Sequence, residues 1–268
     1  MMRALWTAGS GMTAQQFNVD VISNNLANVN TTAYKKDRAE FKDLLYQTID
    51  RASVLDGQGK PVNLQVGYGS TPVATVKDFS KGNFERTDNP LDLAIDGEAL
   101  FAVLGPKGDV VYTRDGSFKV SVSDQGTKLT TTDGYAVLDE MESEIFLDGV
   151  EDISSINVAE NGAITYINTD GETEDLGQRI GLFKFSNRQG LENLGKNLYG
   201  RTDASGEPVI DEEEGSMSVV YQRFLESSNV RVVEEMVKLI VAQRAYEVNS
   251  KAIQSADEML GQANNLKR

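Results

Sequence analysis

The chain has 268 residues, 40% of them hydrophobic, with 41 acidic against 26 basic residues and a net charge of −15. That balance excludes a nucleic-acid surface, which needs clustered Lys and Arg. There is no Cys and no His, which excludes disulfides, thiolate nucleophiles, Cys- or His-ligated metal and a Ser-His-Asp relay. No apolar run reaches the roughly eighteen residues of a membrane span. The opening residues, Met1 to Ser10, lack the roughly seven-to-fifteen-residue apolar stretch of a cleavable signal peptide.

Helix breakers are unevenly placed. All five prolines lie between Pro61 and Pro208, and of 24 glycines only Gly9, Gly11 and Gly261 fall outside Gly57 to Gly215. The spacing therefore predicts a helix at each end and a β-rich middle. In the first helix Leu5, Met12, Val19 and Leu26 form one seven-residue row, and Ala8, Gln15, Ile22 and Val29 a second. Such a narrow seam suits coiled-coil packing. Next come Lys35, Lys36, Arg38 and Lys42, interleaved with Asp37 and Glu40, a mixed-sign cluster read as a solvated face. Residues 51–70 are polar, contain Gly and lack periodicity, which predicts a long loop or extended arm.

Strands are predicted at Thr71–Phe79, Leu91–Ile95, Leu100–Leu104, Val110–Thr113, Ser117–Ser123, Ile156–Val158, Ala163–Ile167 and Ile180–Phe185. Asp96-Gly97, Asp115-Gly116, Asp133-Gly134, Asn161-Gly162 and Asp170-Gly171 recur among them, pairs suited to the positive φ of tight hairpins. The C-terminal helix is predicted over 230–263. Val232, Leu239, Tyr246, Ile253 and Leu260 form its first row, and Ala242, Asn249, Ala256 and Ala263 its second. Ser228 and Asn229 are N-cap candidates, and Glu234 and Glu235 suit the positive end of the helix dipole. The small second-row residues allow close approach, and Asn249 is a candidate for setting register. Pairing of the two ends leaves surface uncovered, so neighbouring chains are expected.

No Gly-rich phosphate cradle and no Gly-x-Ser-x-Gly elbow occurs. The acidic clusters Asp170–Asp175 and Asp211–Glu214 miss the spacing of a calcium loop and read as solvated loops. Nothing singles out a carboxylate pair for glycoside hydrolysis.

Ile22-Ser23-Asn24-Asn25-Leu26-Ala27-Asn28-Val29-Asn30-Thr31-Thr32-Ala33-Tyr34-Lys35 resembles the signature of the flagellar rod and hook family. The family usually has Gly-Phe where Ala33-Tyr34 stands, and Ala is less free than Gly to adopt positive φ. Glu234 to Ile240 and Gln243 to Lys251 resemble its C-terminal helix. Asp43 to Ile49, Val66 to Val73, Leu93 to Gly97 and Tyr112 to Phe118 resemble the distal-rod branch of that family. The resemblance covers most of the chain and is weak over 140–215.

The resemblance implies an α+β fold, with paired N- and C-terminal coiled-coil-like helices flanking an antiparallel β-rich middle domain. It implies a helical inner-tube domain (1–34 plus 228–268), a connecting segment (35–90) whose arm at about 51–70 stiffens the shaft, and a β-rich outer domain (91–227). The implied role is non-enzymatic. The chain would be a subunit of a rigid, hollow drive shaft crossing the periplasm, exported by the type III apparatus without signal cleavage. Implied partners are further copies of the chain, proximal rod and hook proteins at the ends, and P- and L-ring proteins around it. No cofactor, metal or catalytic residue is expected. The candidate assembly residues are Leu5, Met12, Val19, Ile22, Asn24, Asn25, Leu26, Asn28, Tyr34, Leu239, Tyr246, Asn249, Ile253 and Leu260. Two alternatives are a proximal rod or hook subunit and, from another class, a soluble carbohydrate-active β-domain protein with coiled-coil ends.

Overall fold

A computed structural model describes residues 2–50, 63–123, 126–147, 153–168, 172–211 and 218–266. It has one helix at each end, α1 (Met2–Ala27) and α2 (Val232–Leu266), with antiparallel strands between them, the expected α+β architecture. The chain divides into two units. One comprises Met1–Ala27, Asp37–Lys77 and Arg231–Arg268, the other Asn28–Lys36 and Asp78–Val230.

In the helical unit, α2 has 35 residues and so runs about 52 Å at 1.5 Å per residue. Strand Asp37–Asp43 pairs antiparallel with Ser70–Lys77, with an irregularity between Glu40 and Phe41. Tyr46–Asp50 pairs with Leu64–Gly67. Residues 51–62, most of the expected arm, lie outside the described residues. Residues 64–67, its return, form a strand rather than a loop. The two strands before residue 51 escape sequence detection because charged and polar residues break their apolar pattern.

The β unit is organised on a six-stranded sheet. Its order is Glu192–Gly195, Leu198–Gly200, Val110–Thr113, Leu100–Leu104, Leu182–Lys184 and Val209–Ile210. Successive side chains of a strand point to opposite faces, so the apolar run Leu100-Phe101-Ala102-Val103 serves two cores. Phe101 and Val103 join one cluster with Phe118, Val137 and Ile145. Leu100 and Ala102 join another with Tyr112, Phe183 and Tyr199. The expected strands at Leu100–Leu104, Val110–Thr113, Ile156–Val158 and Ala163–Ile167 have those bounds. Ile180–Phe185 contracts to Leu182–Lys184.

Two turn expectations are corrected. Gly134 and Gly162 have positive φ, of 87° and 81°, but Gly97 and Gly116 do not. They are required by close approach instead: a Cβ on Gly116 would lie 1.8 Å from the Leu93 carbonyl oxygen, and one on Gly97 2.0 Å from the Ser218 hydroxyl. Asp170-Gly171 lies outside the described residues, as do residues 212–214 of the second acidic cluster.

Ser228 and Asn229 do not cap α2, which starts at Val232. The Asn229 carboxamide accepts from the Lys36 N–H at 2.8 Å and donates to the Asp78 carbonyl at 2.7 Å. It is held by two other chain segments before the helix begins.

Candidate assembly interface

In the helical unit, Asn25 approaches the Glu235 carboxylate at 3.5 Å, and a Cβ on Gly11 would lie 2.9 Å from the Asn249 amide nitrogen. Fourteen residues back along α1 thus match fourteen forward along α2, and the helices run antiparallel. The fully packed positions are mostly small. Ala8, Ala14, Ile22, Ala242 and Ala256 are buried, which lets the backbones come close. Asn249, half-buried in this seam, sits over Gly11, where a larger residue would collide.

Asn25, 1% exposed, ties this pair to the sheet. Its amide donates to the Asp37 carbonyl and its carbonyl accepts from the Asp37 N–H, both at 2.8 Å. It thus pairs with Asp37 as a neighbouring strand would. Glu235, buried beneath it, pairs with Lys238 at 2.6 Å.

The rest of the signature belongs to the β unit. Asn28 accepts from Thr31 through both its backbone carbonyl and its side chain, at 3.2 Å each. Ala33 follows with φ 55° and its methyl fully buried. The turn thus adopts the left-handed conformation even with Ala in place of Gly. The Ala33 N–H donates to the Glu226 carbonyl at 2.7 Å, and buried Tyr34 accepts from the Asn229 N–H at 3.3 Å.

Lys35 does not lie on a solvated face; this corrects the expectation for the basic cluster. Its side chain is 1% exposed, with the ammonium 2.6 Å from the equally buried Glu226 carboxylate. It also donates to the Ser80 carbonyl at 2.9 Å. Arg114 meets the other Glu226 oxygen at 2.9 Å. Its remaining nitrogens donate to the carbonyls of Gly97, Ala99 and Ile95 at 3.0, 2.6 and 2.9 Å. Burial pushes the Lys35 ammonium below the ordinary lysine value, and Glu226 restores it only in part. Burial raises Glu226, but Arg114 and then Lys35 outweigh it and hold the carboxyl below its usual range. Arg38, by contrast, is exposed and pairs with Glu40 at 3.2 Å.

The remaining candidate residues are less enclosed. Leu5, Met12, Val19, Leu26, Leu239, Ile253 and Leu260 are half-buried, Asn24 is exposed, and Tyr246 is 41% exposed. Val19 and Tyr246 line one open groove with Gln16, Gln243 and Glu247.

A second apolar stripe was missed. Val233, Val237, Ile240, Val241 and Val248 are each more than half exposed. At about 100° per residue they occupy the side of α2 roughly opposite Glu235, Ala242, Asn249 and Ala256. The signal was present in the sequence: this helix has apolar residues beyond one seven-residue seam.

Three stretches of the chain match family models: 5–35 the flagella basal body rod protein, 94–166 the flagellar hook protein FlgE/F/G D1 domain, and 221–266 the flagellar basal body rod FlgEFG protein C-terminal. The flagellar basal-body rod protein FlgG of Borreliella burgdorferi is 48% identical, with 100% of each chain covered. That of Caulobacter vibrioides is 43% identical over 97% of each chain, and that of Bacillus subtilis 37% identical over 100% of each. The chain belongs to the FlgG family of flagellar basal-body rod proteins. In this FlgG-family chain, Lys35, Arg114 and Glu226 come one from each matched stretch. Their ionic node fastens together, within the β unit, the end of the signature, the central strands and the strand Phe224–Glu226.

Proposed function

We propose that the chain is a structural subunit of the distal rod, a non-enzymatic drive shaft that assembles helically into a hollow, rigid tube. The tube carries torque to the hook and passes exported subunits. The observation that carries this reading is α2, a helix with one apolar face against α1 and a second facing away, uncovered in a single chain. An amphipathic helix of a monomer needs one such face. A second that repeats on every copy supplies heterologous contacts, which extend into an open helical filament when they do not close.

The strand pair Tyr46–Asp50 and Leu64–Gly67 points the same way. A lone two-stranded hairpin is marginal in water, and Tyr46, Ile49 and Leu64 are each more than half exposed. Neighbouring copies would cover them, and the 51–70 segment would stiffen the contact. Proximal rod and hook proteins adjoin the ends, ring proteins surround the shaft, and the type III apparatus exports the chain without signal cleavage. The half-buried and buried candidates, from Leu5 to Leu260, pack the inner tube.

The test is complementation of a strain that lacks its own distal-rod subunit. The expected result, by electron cryo-microscopy of isolated basal bodies, is a restored straight rod carrying a hook. Basal bodies that still end at the proximal rod would refute the assignment.

A further inference from the structure

A cavity of about 700 Å³ opens in the β unit beside the turn that joins strands Leu100–Leu104 and Val110–Thr113. Tyr112 lines it and is 2% exposed. Its ring is packed edge-on against Phe183 and Phe185, at centroid distances of 5.8 and 4.7 Å. Its hydroxyl has no hydrogen-bond partner among the described residues. Among those residues only Thr87 carries a fully buried side-chain oxygen without a partner, so the Tyr112 hydroxyl opens to the cavity. Burial, and then the Glu142 carboxylate, push this phenol up to about 12. It therefore stays neutral and both donates and accepts.

Three carboxylates line the same cavity: Asp109, Glu142 and Glu192. None is in an ion pair with a described residue. Arg201 is also present, but Glu207 already neutralises it at 2.5 Å. Leu194, Val110 and Pro208 add an apolar wall, and Leu194 is half exposed. The volume exceeds that of any one side chain and suits a short stretch of extended peptide.

We propose that this cavity is a docking site for an extended peptide of a partner protein, entered by a Lys or Arg side chain whose tip meets the Tyr112 hydroxyl. The lining fits such a side chain in both parts. Unpaired carboxylates and a hydroxyl suit the cation, and Leu194 and Val110 suit its methylene stem. An anionic ligand would meet three carboxylates for one lining cation, Lys107, that has no ion pair among the described residues. The net charge of −15 favours a basic partner at long range as well. The site lies wholly within the β unit and does not depend on assembly.

The test is calorimetric titration of the full chain with N-acetylated, C-amidated Leu-Lys-Leu, and with Leu-Glu-Leu as its counterpart. Saturable binding of the lysine peptide alone is expected. Glu142→Gln with Glu192→Gln should weaken it about tenfold, since hydrogen bonds to charged groups carry that much. Tyr112→Phe should weaken it about threefold or more. Leu194→Glu, a surface change that leaves the Tyr112 ring in place, should alter peptide affinity with the tyrosine near-ultraviolet dichroism unchanged. The proposal fails if neither peptide saturates, if both bind equally, or if the double glutamine variant binds as the parent does. A chain that binds the lysine peptide but never polymerises would leave this site standing and overturn the rod assignment.

Discussion

Glu226→Gln keeps the size and most of the shape of the side chain but removes its charge. Lys35 and Arg114, 1% and 3% exposed, are then left as two cations in one dry site. Leaving a buried charge unpaired costs about 3–5 kcal/mol. Lys35→Met is the informative contrast. It leaves the Arg114–Glu226 pair and the guanidinium's bonds to Gly97, Ala99 and Ile95 untouched. The Ser80 carbonyl keeps the Asn229 amide at 3.2 Å. The depressed pKa of Lys35 means that its pairing does not fully offset burial, so this variant should lie within about 1 kcal/mol of the parent.

Thermal unfolding, followed by the near-ultraviolet dichroism of buried Tyr112 and Tyr199, reads both. The melting temperature of Glu226→Gln should fall by roughly 6–20 °C, from about 2–4 °C per kcal/mol in a domain of this size. The pH dependence separates the two ends of the node. Glu226 has a folded pKa below its unfolded value, so its contribution is full above the ordinary carboxylate range and disappears as pH falls through the folded pKa. Glu226→Gln should remove that part of the acid limb. Lys35 acts in the same direction but in the alkaline range. Its folded pKa also lies below its unfolded value, so between the two the unfolded chain binds more protons and stability rises with pH. Lys35→Met should abolish this alkaline gain. Equal losses for Glu226→Gln and Lys35→Met at neutral pH would refute the reasoning.

Asn25→Asp should destabilise the helical unit by about 2–4 kcal/mol, more than Asn25→Ala, because a carboxylate would face the Asp37 carbonyl and Glu235; amide exchange at Asp37 would report it. Ala33→Val should cost about 2–3 kcal/mol, since a β-branched residue strains at positive φ in a filled site. Ala33→Gly should stay within about 1 kcal/mol, as relief of strain offsets the lost methyl and the freer unfolded chain. Gly11→Leu should overpack the seam by about 1–3 kcal/mol. Asn249→Ala in the same chain should recover at least half of it in thermal melts followed by far-ultraviolet dichroism.

The helices and central strands were legible because their patterns are local. Leu100 to Val103 is a continuous apolar run, and the seven-residue rows of α2 persist through Leu260. The buried node was not. Lys35 sits among charged neighbours and carries no mark of burial, and its partners Arg114 and Glu226 lie far along the chain. Only the fold supplies the 2.6 Å contact. Asn25 could be singled out by resemblance, but its pairing with Asp37 required a strand that charged residues conceal. The caps failed for a related reason: Asn229 suits an N-cap by type, yet Lys36 and Asp78 claim its carboxamide first. Among the seam residues, the tightest positions are Ile22 and the small Ala8, Ala14, Ala242 and Ala256, rather than most of the large residues that mark the pattern.

The central claim is assembly through the outward face of α2, and one experiment addresses it directly. The full chain and the variant Val237→Asp with Ile240→Asp would be concentrated side by side, then sedimented and viewed by electron microscopy. Both residues are more than half exposed, so the variant should keep the parent's helical dichroism as a monomer. The parent should form straight tubes above a threshold concentration, and the variant should need at least a tenfold higher one, about 1.4 kcal/mol per added subunit. A parent that stays monomeric at every concentration, or a variant that polymerises as readily, would contradict the account.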